Sequence, residues 1–235
     1  MKSKISSYFD KFSKNYEDFA FKQSLGTNYL NRIEREFILE SVLVRKGQKV
    51  LDIGVGTGRN AALLLDKGAI VEGIDISKRM MSEAKKKLKN ERVNFTLADA
   101  SKRIPFKNNT FDHVICIRVL KYMPLWKNLI NEVSRVLKKD GTFSFDIANL
   151  YSVAYFGLKT ANYSLFRYKE VKKTLEARGF KIIKVKSGSR LPFPLYKKIN
   201  NKIIFIFLMF SERILNKVLP KTILSRSVLL VCKRM

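Results

Sequence analysis

The sequence of 235 residues predicts an α/β protein, and two observations support this fold class. From Val50 onward, short apolar runs alternate with amphipathic stretches, which is typical of a mostly parallel sheet with helices on both faces. The amphipathic stretches carry apolar residues at helical spacing, and several end at a glycine or a polar turn. We therefore expect one domain with a seven-stranded sheet at its centre.

The apolar runs give the predicted strands, and the stretches between them give the predicted helices. The strands cover residues 50–53, 70–74, 93–97, 111–117, 142–145, 180–185 and 227–232. The helices cover residues 8–44 (as two helices), 59–67, 77–90, 125–136 and a stretch around 171–175. Ser77 is placed to cap the helix that follows strand two, and residues 138–141 read as a turn.

A glycine-rich turn follows the first predicted strand. Glycine occupies positions 54, 56 and 58, between the strand and a helix. Glycines at such a turn let a ligand approach the backbone at the carboxyl ends of the strands, where open α/β sheets bind ligands. Dinucleotide enzymes use the spacing G-x-G-x-x-G, but here the third glycine comes one residue early. The spacing therefore disfavours a nicotinamide cofactor.

Two carboxylates stand at the ends of the next two predicted strands. Asp75 comes 21 residues after Gly54, where a carboxylate can accept hydrogen bonds from both hydroxyls of a ribose. Asp99 follows the third strand. In register with the glycine turn, both acids are unlike ordinary surface carboxylates, and Asp75 indicates an adenosine-containing ligand without identifying it.

These motifs resemble those of the class I S-adenosylmethionine-dependent methyltransferases. The glycine turn after Leu51 and Asp52 resembles the first motif of that family, and residues 111–124 resemble the fourth. Residues 136–143 resemble the helix, turn and strand that follow it. The resemblance covers about residues 8–186 and is closest to small-molecule enzymes such as the quinone-biosynthesis C-methylases. It implies a Rossmann-like fold with an antiparallel last strand, and methyl transfer from S-adenosylmethionine.

The resemblance also implies a set of cofactor-binding residues. Asp52 would orient the glycine loop near the methionine amino group, and Asp99 would contact the adenine. Residues 1–46 would form helices over the cofactor, with Tyr16 as a contact on the methionine side. The full set is Tyr16, Asp52, Gly54, Gly56, Gly58, Asp75, Ile76, Asp99, Ala100 and Arg118.

Methyl transfer from a sulfonium depends mainly on aligning the acceptor with the methyl group and the sulfur. A base is needed only when the acceptor must lose a proton. Arg118, Asn149 and Tyr151 follow strands four and five and are the catalytic candidates. His113 is the only histidine and lies at the other end of its strand, which favours a structural role. We predict no metal site.

The charge of the chain suggests an anionic partner. The 47 Lys and Arg residues against 20 acidic ones give a net charge of +27. Residues 156–235 hold 19 basic and 3 acidic residues, a net charge of +16. This balance fits an RNA, an anionic membrane surface, or a lysine-rich surface that binds neither.

The segment 191–225 reads as an insertion into a core domain of residues 47–235. Its apolar run 203–210 is flanked by basic residues and is shorter than the ~20 residues that span a bilayer. We expect it to form a lid, a dimer contact or an interfacial membrane segment. The acceptor pocket should lie near it, among the aromatic residues Tyr151, Tyr155, Phe156, Tyr163, Phe166, Phe193 and Tyr196.

The leading hypothesis is methyl transfer to a small or lipid-like acceptor. An RNA or tRNA methyltransferase is the alternative that the charge favours, and a non-enzymatic cofactor-binding or interaction protein is the third. The N-terminus lacks the apolar stretch of a secretory signal, so we expect a cytoplasmic protein, with membrane association left open. Cys116 and Cys232 lie in apolar strands and are expected to be buried thiols.

Overall fold

A computed structural model describes residues 4–21, 24–89, 92–152, 155, 164–191 and 193–235. Its centre is a seven-stranded sheet in the order β3-β2-β1-β4-β5-β7-β6. The strands are β1 Lys49–Ile53, β2 Ile70–Asp75, β3 Val93–Leu97, β4 Phe111–Cys116, β5 Leu137–Ala148, β6 Phe180–Ser187 and β7 Ser227–Arg234. The predicted fold class and the seven strands are confirmed.

The strand directions place six carboxyl ends at one edge of the sheet. Strands β1 to β5 pair in parallel, whereas β7 is antiparallel to both of its neighbours, β5 and β6. β6 therefore runs parallel to β1–β5, and the antiparallel last strand is confirmed. The loops after β1 to β6 consequently all emerge at the edge where open α/β sheets bind ligands.

The described helices are α1 Lys4–Phe12, α2 Tyr16–Phe21, α3 Leu25–Ser41, α4 Arg59–Leu65, α5 Lys78–Lys87, α6 Trp126–Val136, α7 Tyr168–Glu176, α8 Phe193–Lys198 and α9 Lys202–Val218. The N-terminal region forms three helices where the sequence predicted two. The extra break is a short 3-10 turn at Ser13–Asn15 between α1 and α2. Helix α3 begins at a capping box, in which the Ser24 side chain accepts from Thr27 N and the Thr27 side chain accepts from Ser24 N.

Helices cover both faces of the sheet, as predicted. On one face, Phe37 of α3, Leu64 of α4 and Met81 of α5 pack against β1, β2 and β4. On the other, Val133 of α6 and Leu175 of α7 pack against β4, β5 and β7. Both core faces are buried and largely aliphatic, and this burial is the main favourable contribution to folding.

Strand β5 is longer than the sequence predicted, because it includes the residues predicted as a turn. Leu137 already pairs with Phe111 of β4, and the register shifts between Phe111 and His113. Asp140 has a φ of 63°, so the tight bend occurs inside the strand as an irregularity of the pairing.

The two cysteines and the histidine take structural positions. Cys116 on β4 and Cys232 on β7 are free thiols that are buried in the same core cluster, as predicted. His113 lies toward the amino-terminal end of β4, with Nδ1 2.7 Å from Thr142 Oγ1 and Nε2 3.3 Å from Gln48 Oε1. Burial lowers the pKa of His113, so the imidazole is neutral near pH 7.

The chain between β6 and β7 forms α8 and α9, which pack outside the sheet against α3. Tyr196 of α8 is fully buried, its ring stacks on Tyr29 at 6.3 Å, and its carbonyl accepts a hydrogen bond from Ser24 Oγ at 2.6 Å. In the part of the chain that the structure describes, no helix is long and apolar enough to cross a membrane.

Candidate active site

A cavity of about 320 Å³ lies at the carboxyl edge of the sheet, where the loops after β1 to β4 converge under α1. The structure brings eight of the ten sequence-predicted cofactor residues to its wall. They are Tyr16, Gly54, Gly56, Asp75, Ile76, Asp99, Ala100 and Arg118. Asp52 and Gly58 are not among the lining residues.

The glycine turn brings backbone to the cavity surface. Gly54 has a φ of 72°, and a Cβ on it would lie 2.2 Å from Val119 Cγ2 of the loop after β4. Gly54 N donates to Ile74 O at 2.8 Å, which holds the turn against the end of β2. A residue with a side chain at position 54 would therefore separate the two loops that line the cavity.

Gly58, predicted as a cofactor-binding residue, lies at the contact between α4 and α5. It adopts a φ of 79° at the N-cap of α4, and a Cβ on it would lie 2.9 Å from Leu88 Cδ1 and 3.2 Å from Ala84 Cβ. The glycine thus allows α4 to pack closely on α5, and it does not line the cavity.

Asp75 links the two loops that flank the cavity. Its Oδ2 accepts from Gly56 N at 2.9 Å, and its Oδ1 accepts from Ser77 N at 2.8 Å. Burial raises the pKa of Asp75, and the backbone donors only partly oppose this effect. Each carboxylate oxygen can accept a second hydrogen bond, so the group can also receive hydroxyl donors from a ligand.

Asp99 is oriented by a neighbour that the sequence did not single out. Ser101 donates to Asp99 Oδ1 from its backbone N at 3.0 Å and from Oγ at 2.6 Å. Both bonds use the same oxygen, which fixes the direction of the carboxylate beside Ala98 and Ala100 on the cavity wall.

Buried acceptor oxygens without partners lie at the glycine turn. Asp52 is 1% exposed, and among the described residues neither of its carboxylate oxygens has a hydrogen-bond partner. Asn60 lines the cavity, and its buried Oδ1 likewise has no hydrogen-bond partner among the described residues. Burial raises the pKa of Asp52 to about 7, Arg59 opposes the shift, and Asp75 adds to it. This corner of the site therefore suits a ligand that brings a cationic donor.

Helix α1 covers the cavity and is tied to the loop after β2. Ser6 Oγ donates to Ile76 O at 2.9 Å, and Asp10 Oδ1 accepts from Ser77 Oγ at 2.6 Å. Phe9 packs edge-on against Tyr122, with ring centroids 5.2 Å apart. These contacts join residues distant in sequence, so the sequence indicated a covering helix and a motif after β4 but did not single out Ser6, Phe9, Asp10 or Tyr122.

Arg118 joins the N-terminal helices to the loop after β4. Its Nε donates to Glu34 Oε2 of α3 at 2.9 Å, and its side chain also hydrogen-bonds Tyr16. Burial works to lower the pKa of Arg118, but Glu34, Tyr16 and Asp146 outweigh it and raise that pKa. Burial likewise opposes ionisation of Glu34, yet Arg118 and Arg59 hold its pKa below the usual value. Both groups are therefore charged.

Comparison with known proteins identifies the family to which the chain belongs. A methyltransferase-domain family model matches residues 51–145. The uncharacterized protein MJ1252 of Methanocaldococcus jannaschii is 36% identical over 188 residues, which cover 80% of this chain and 67% of that protein. The chain belongs to the class I S-adenosylmethionine-dependent methyltransferases.

A characterised relative and a solved structure agree with this assignment. The ubiquinone/menaquinone biosynthesis C-methyltransferase UbiE of Neisseria gonorrhoeae is 34% identical over 144 residues, 59% of this chain and 57% of that enzyme. The match thus spans little more than half of that relative. Phosphoethanolamine N-methyltransferase 2 of Haemonchus contortus, solved with S-adenosylmethionine, superposes with a TM-score of 0.67 at 18% identity, covering 96% of this chain and 60% of that chain. The fold is shared.

The methyl donor of this methyltransferase family is S-adenosylmethionine, and the residues present fit it. Asp75 and Asp99 line the cavity and would offer carboxylates to the adenosine part. Asn60 Oδ1, which lines the cavity without a partner among the described residues, would offer an acceptor to the ammonium of the methionine part, and the buried carboxylate of Asp52 would add negative charge near it. When bound, the cofactor supplies a methyl group on a cationic sulfur.

Of the three catalytic candidates, only Arg118 lines the cavity of the methyltransferase. Asn149 is fully buried, and its Nδ2 donates to Thr222 O at 2.9 Å and to Ser225 O at 3.0 Å. Tyr151 is 59% exposed and lies outside the cavity wall. Both follow β5 as predicted, but the amide of Asn149 is used to hold the segment that leads into β7.

The aromatic residues predicted for the acceptor pocket are also distributed differently. Phe166 is buried against Trp126, with ring centroids 5.5 Å apart, and Tyr196 is buried on α3. Tyr155 is half-buried and lines a smaller cavity. Phe156, Tyr163 and the side chain of Phe193 lie outside the described residues.

The smaller cavity, of about 30 Å³, shares Arg118 with the large one. Its charged lining consists of Glu34, Arg118, Lys121, Asp146 and Arg226. Burial, aided by Arg118 and Arg226, lowers the pKa of Lys121 to about 8. Lys121 is a basic side chain of this smaller cavity whose lowered pKa leaves part of its amine neutral near pH 7, and sequence reasoning missed it.

Proposed function

We propose that this methyltransferase transfers the methyl group of S-adenosylmethionine to a small or lipid-like acceptor. The observation that carries the proposal is the covered, partly apolar cavity. Phe9 of α1, together with Tyr122 and Met123 of the loop after β4, forms a wall next to the polar cofactor-binding loops. Such a wall suits the apolar body of a small acceptor better than a base embedded in folded RNA.

We also propose that residues 1–46 act as the cover of this site and that residues 47–235 form the catalytic core. Ser6 and Asp10 attach α1 to the loop after β2, and Tyr16 and Glu34 attach the following helices to Arg118. Closure of this cover would exclude water and hold the acceptor in line with the methyl group, which is where most of the rate enhancement would arise.

Each of the following residues is proposed to contact one part of the cofactor. Asp75 would accept hydrogen bonds from the ribose hydroxyls, Asp99 would contact the adenine, and Asp52 would face the amino group. The backbone at Gly54 and Gly56 would line the path between them. Lys121 is the group we propose for removing a proton, if the acceptor must lose one.

Partition of a radioactive methyl group tests the acceptor class. The full chain is incubated with S-adenosylmethionine labelled on the methyl group and, in separate reactions, with a total lipid extract, an aqueous small-metabolite extract or total RNA. We expect label in the lipid or metabolite fraction that Asp75→Ala abolishes. Glu72→Ala is the matched control, because Glu72 lies on the same strand and bonds the exposed Asn94.

The RNA alternative rests on one observation, the net charge of +27. Label that enters RNA and depends on Asp75 would replace the proposed acceptor class with RNA. Cofactor binding without label in any of the three fractions would favour the non-enzymatic alternative.

A further inference from the structure

Helix α9 exposes a continuous apolar face. Its residues at positions 203, 207, 210, 214 and 218 follow one another at spacings of three or four, so they share one side of the helix. Ile203 is 78% exposed, Phe207 72%, Phe210 62%, Ile214 44% and Val218 73%. We call these five residues the apolar stripe. A contiguous exposed apolar surface of this kind marks an interaction site.

The stripe cannot turn inward without breaking the inner face of α9. Leu208 is buried with Leu30 and Tyr196 in the cluster between α9, α3 and α8. Glu212 is 1% exposed, and its Oε1 accepts from Arg190 N at 2.8 Å and from Leu191 N at 3.1 Å. The helix is therefore fixed with its stripe facing outward.

The exposed charges of the segment that carries the stripe are all positive. The segment 191–225 contains a single acidic residue, Glu212, which is buried. Its basic residues are all exposed: Lys197, Lys198, Lys202, Arg213, Lys217 and Lys221. Lys202, Arg213 and Lys217 project beside the stripe, because residues 202, 213 and 217 fall on its flank in a helix of 3.6 residues per turn.

We propose that the apolar stripe rests on the surface of an anionic phospholipid bilayer, with α9 lying in the plane of the interface. The aliphatic and aromatic side chains of the stripe would enter the boundary between headgroups and acyl chains, and the basic flank would meet the headgroup phosphates. α9 has 17 residues and does not qualify as a spanning helix, so the contact is peripheral.

Charge favours a bilayer over the other occupants. A second copy of the chain would bring its own Lys202, Arg213 and Lys217 against the same residues, with no exposed acidic residue of the segment to pair with them. An RNA would use the basic flank but would leave the stripe exposed to water. An anionic bilayer satisfies both features, and this inference is independent of the identity of the methyl acceptor.

Vesicle flotation of the full chain tests the inference. The vesicles contain phosphatidylglycerol and phosphatidylcholine at a ratio of three to one, or phosphatidylcholine alone. We expect the protein to float with the anionic vesicles and to remain below the neutral ones. For the double variant Phe207→Ser/Phe210→Ser, the fraction of protein bound to anionic vesicles should fall at least about fivefold, because the two aromatic anchors are removed.

Two control variants make the test specific. Leu43→Ser/Ile183→Ser removes two exposed apolar side chains elsewhere on the surface, which are 77% and 52% exposed, and should bind like the parent chain. Lys202→Gln/Arg213→Gln/Lys217→Gln should weaken binding, whereas the same triple change at the exposed residues Lys85, Lys139 and Lys181 should weaken it less. Thermal unfolding of each variant verifies that the fold is retained.

Three results would overturn the inference. The first is a parent chain that does not float with anionic vesicles. The second is a Phe207→Ser/Phe210→Ser variant that floats as well as the parent, since charge alone would then explain the binding. The third is a dimer in sedimentation that these two substitutions dissociate, because a second copy would then be the occupant of the stripe.

Discussion

At the scale of single residues, Asp52 has the most unusual environment in the site. It is buried, its oxygens have no partner among the described residues, and its pKa is raised to about 7. An unfolded chain would ionise this group near pH 4. The folded protein without cofactor therefore holds a proton that the unfolded chain releases, and it loses stability as the pH rises from about 4 to about 7.

The substitution Asp52→Asn should remove this loss. We expect the free energy of unfolding of the variant, relative to the parent chain, to increase with pH between about 4 and 7 and then level off, by up to ~4 kcal/mol. Urea unfolding at pH 5 and pH 8 measures the difference. Any fixed cost of burying the new amide is the same at both pH values, so equal differences at the two would contradict the assignment.

Cofactor binding should show the opposite trend. If Asp52 faces the cationic amino group, the affinity of the parent chain for S-adenosylhomocysteine should increase about tenfold from pH 6 to pH 8 as the carboxylate ionises. The Asp52→Asn variant should bind more weakly at pH 8 and with a flatter pH dependence. Asp75 is present in both proteins, so the comparison isolates Asp52.

The close packing around Gly58 can be tested by substitution, with two other glycines as controls. Gly58→Ala should cost about 1 to 3 kcal/mol of stability, from the left-handed backbone and from contact with Leu88 and Ala84. Gly47 and Gly179 also have positive φ, but a Cβ on either meets nothing within 4 Å. Alanine there should cost only the backbone strain. Equal losses at all three positions in urea unfolding would argue against close packing of α4 on α5.

At the scale of elements, α1 is held over the cavity by a few polar contacts at its two ends. Asp10 accepts hydrogen bonds at the N-terminus of α5, from Ser77 Oγ at 2.6 Å and from Arg79 N at 3.3 Å. A carboxylate is favourable at a helix N-terminus. The contact is local to the cover, so its loss should affect ligand retention more than the stability of the core.

The substitution Asp10→Ala should raise the Kd for S-adenosylhomocysteine about five- to tenfold, mainly through faster dissociation. Lys11→Ala, on the adjacent exposed position of α1, should leave the Kd unchanged. Stopped-flow displacement of the bound ligand separates the two rate constants. An unchanged dissociation rate for Asp10→Ala would mean that α1 does not gate the site.

At the scale of the whole molecule, the sheet topology assembles the site. The glycine turn, Asp75, Asp99 and Arg118 follow four different parallel strands, and the parallel directions bring them to one edge. The sequence could predict this arrangement because each residue directly follows an apolar run, and because the spacing of three glycines restricts the ligand. The fold class and the family follow from the same local signals.

The side-chain contacts that the sequence could not predict depend on tertiary packing. Phe9 reaches the cavity, and Ser6 reaches the loop after β2, only because α1 folds back over the sheet edge. Asn149 follows a strand at the correct edge, but its side chain donates hydrogen bonds to the carbonyls of Thr222 and Ser225, which precede β7. The position of a residue after a strand gives its edge of the sheet, whereas the direction of its side chain depends on the neighbouring chain.

Calorimetric titration with S-adenosylhomocysteine at pH 8 is the most direct test that the cavity under α1 is the cofactor site. We predict one binding site on the parent chain, unchanged in Glu72→Ala and lost or weakened at least about a hundredfold in Asp75→Ala, which loses charge-assisted hydrogen bonds. Far-UV circular dichroism verifies that this variant is folded. No binding to the folded parent chain, or equal binding by Asp75→Ala, would contradict the account.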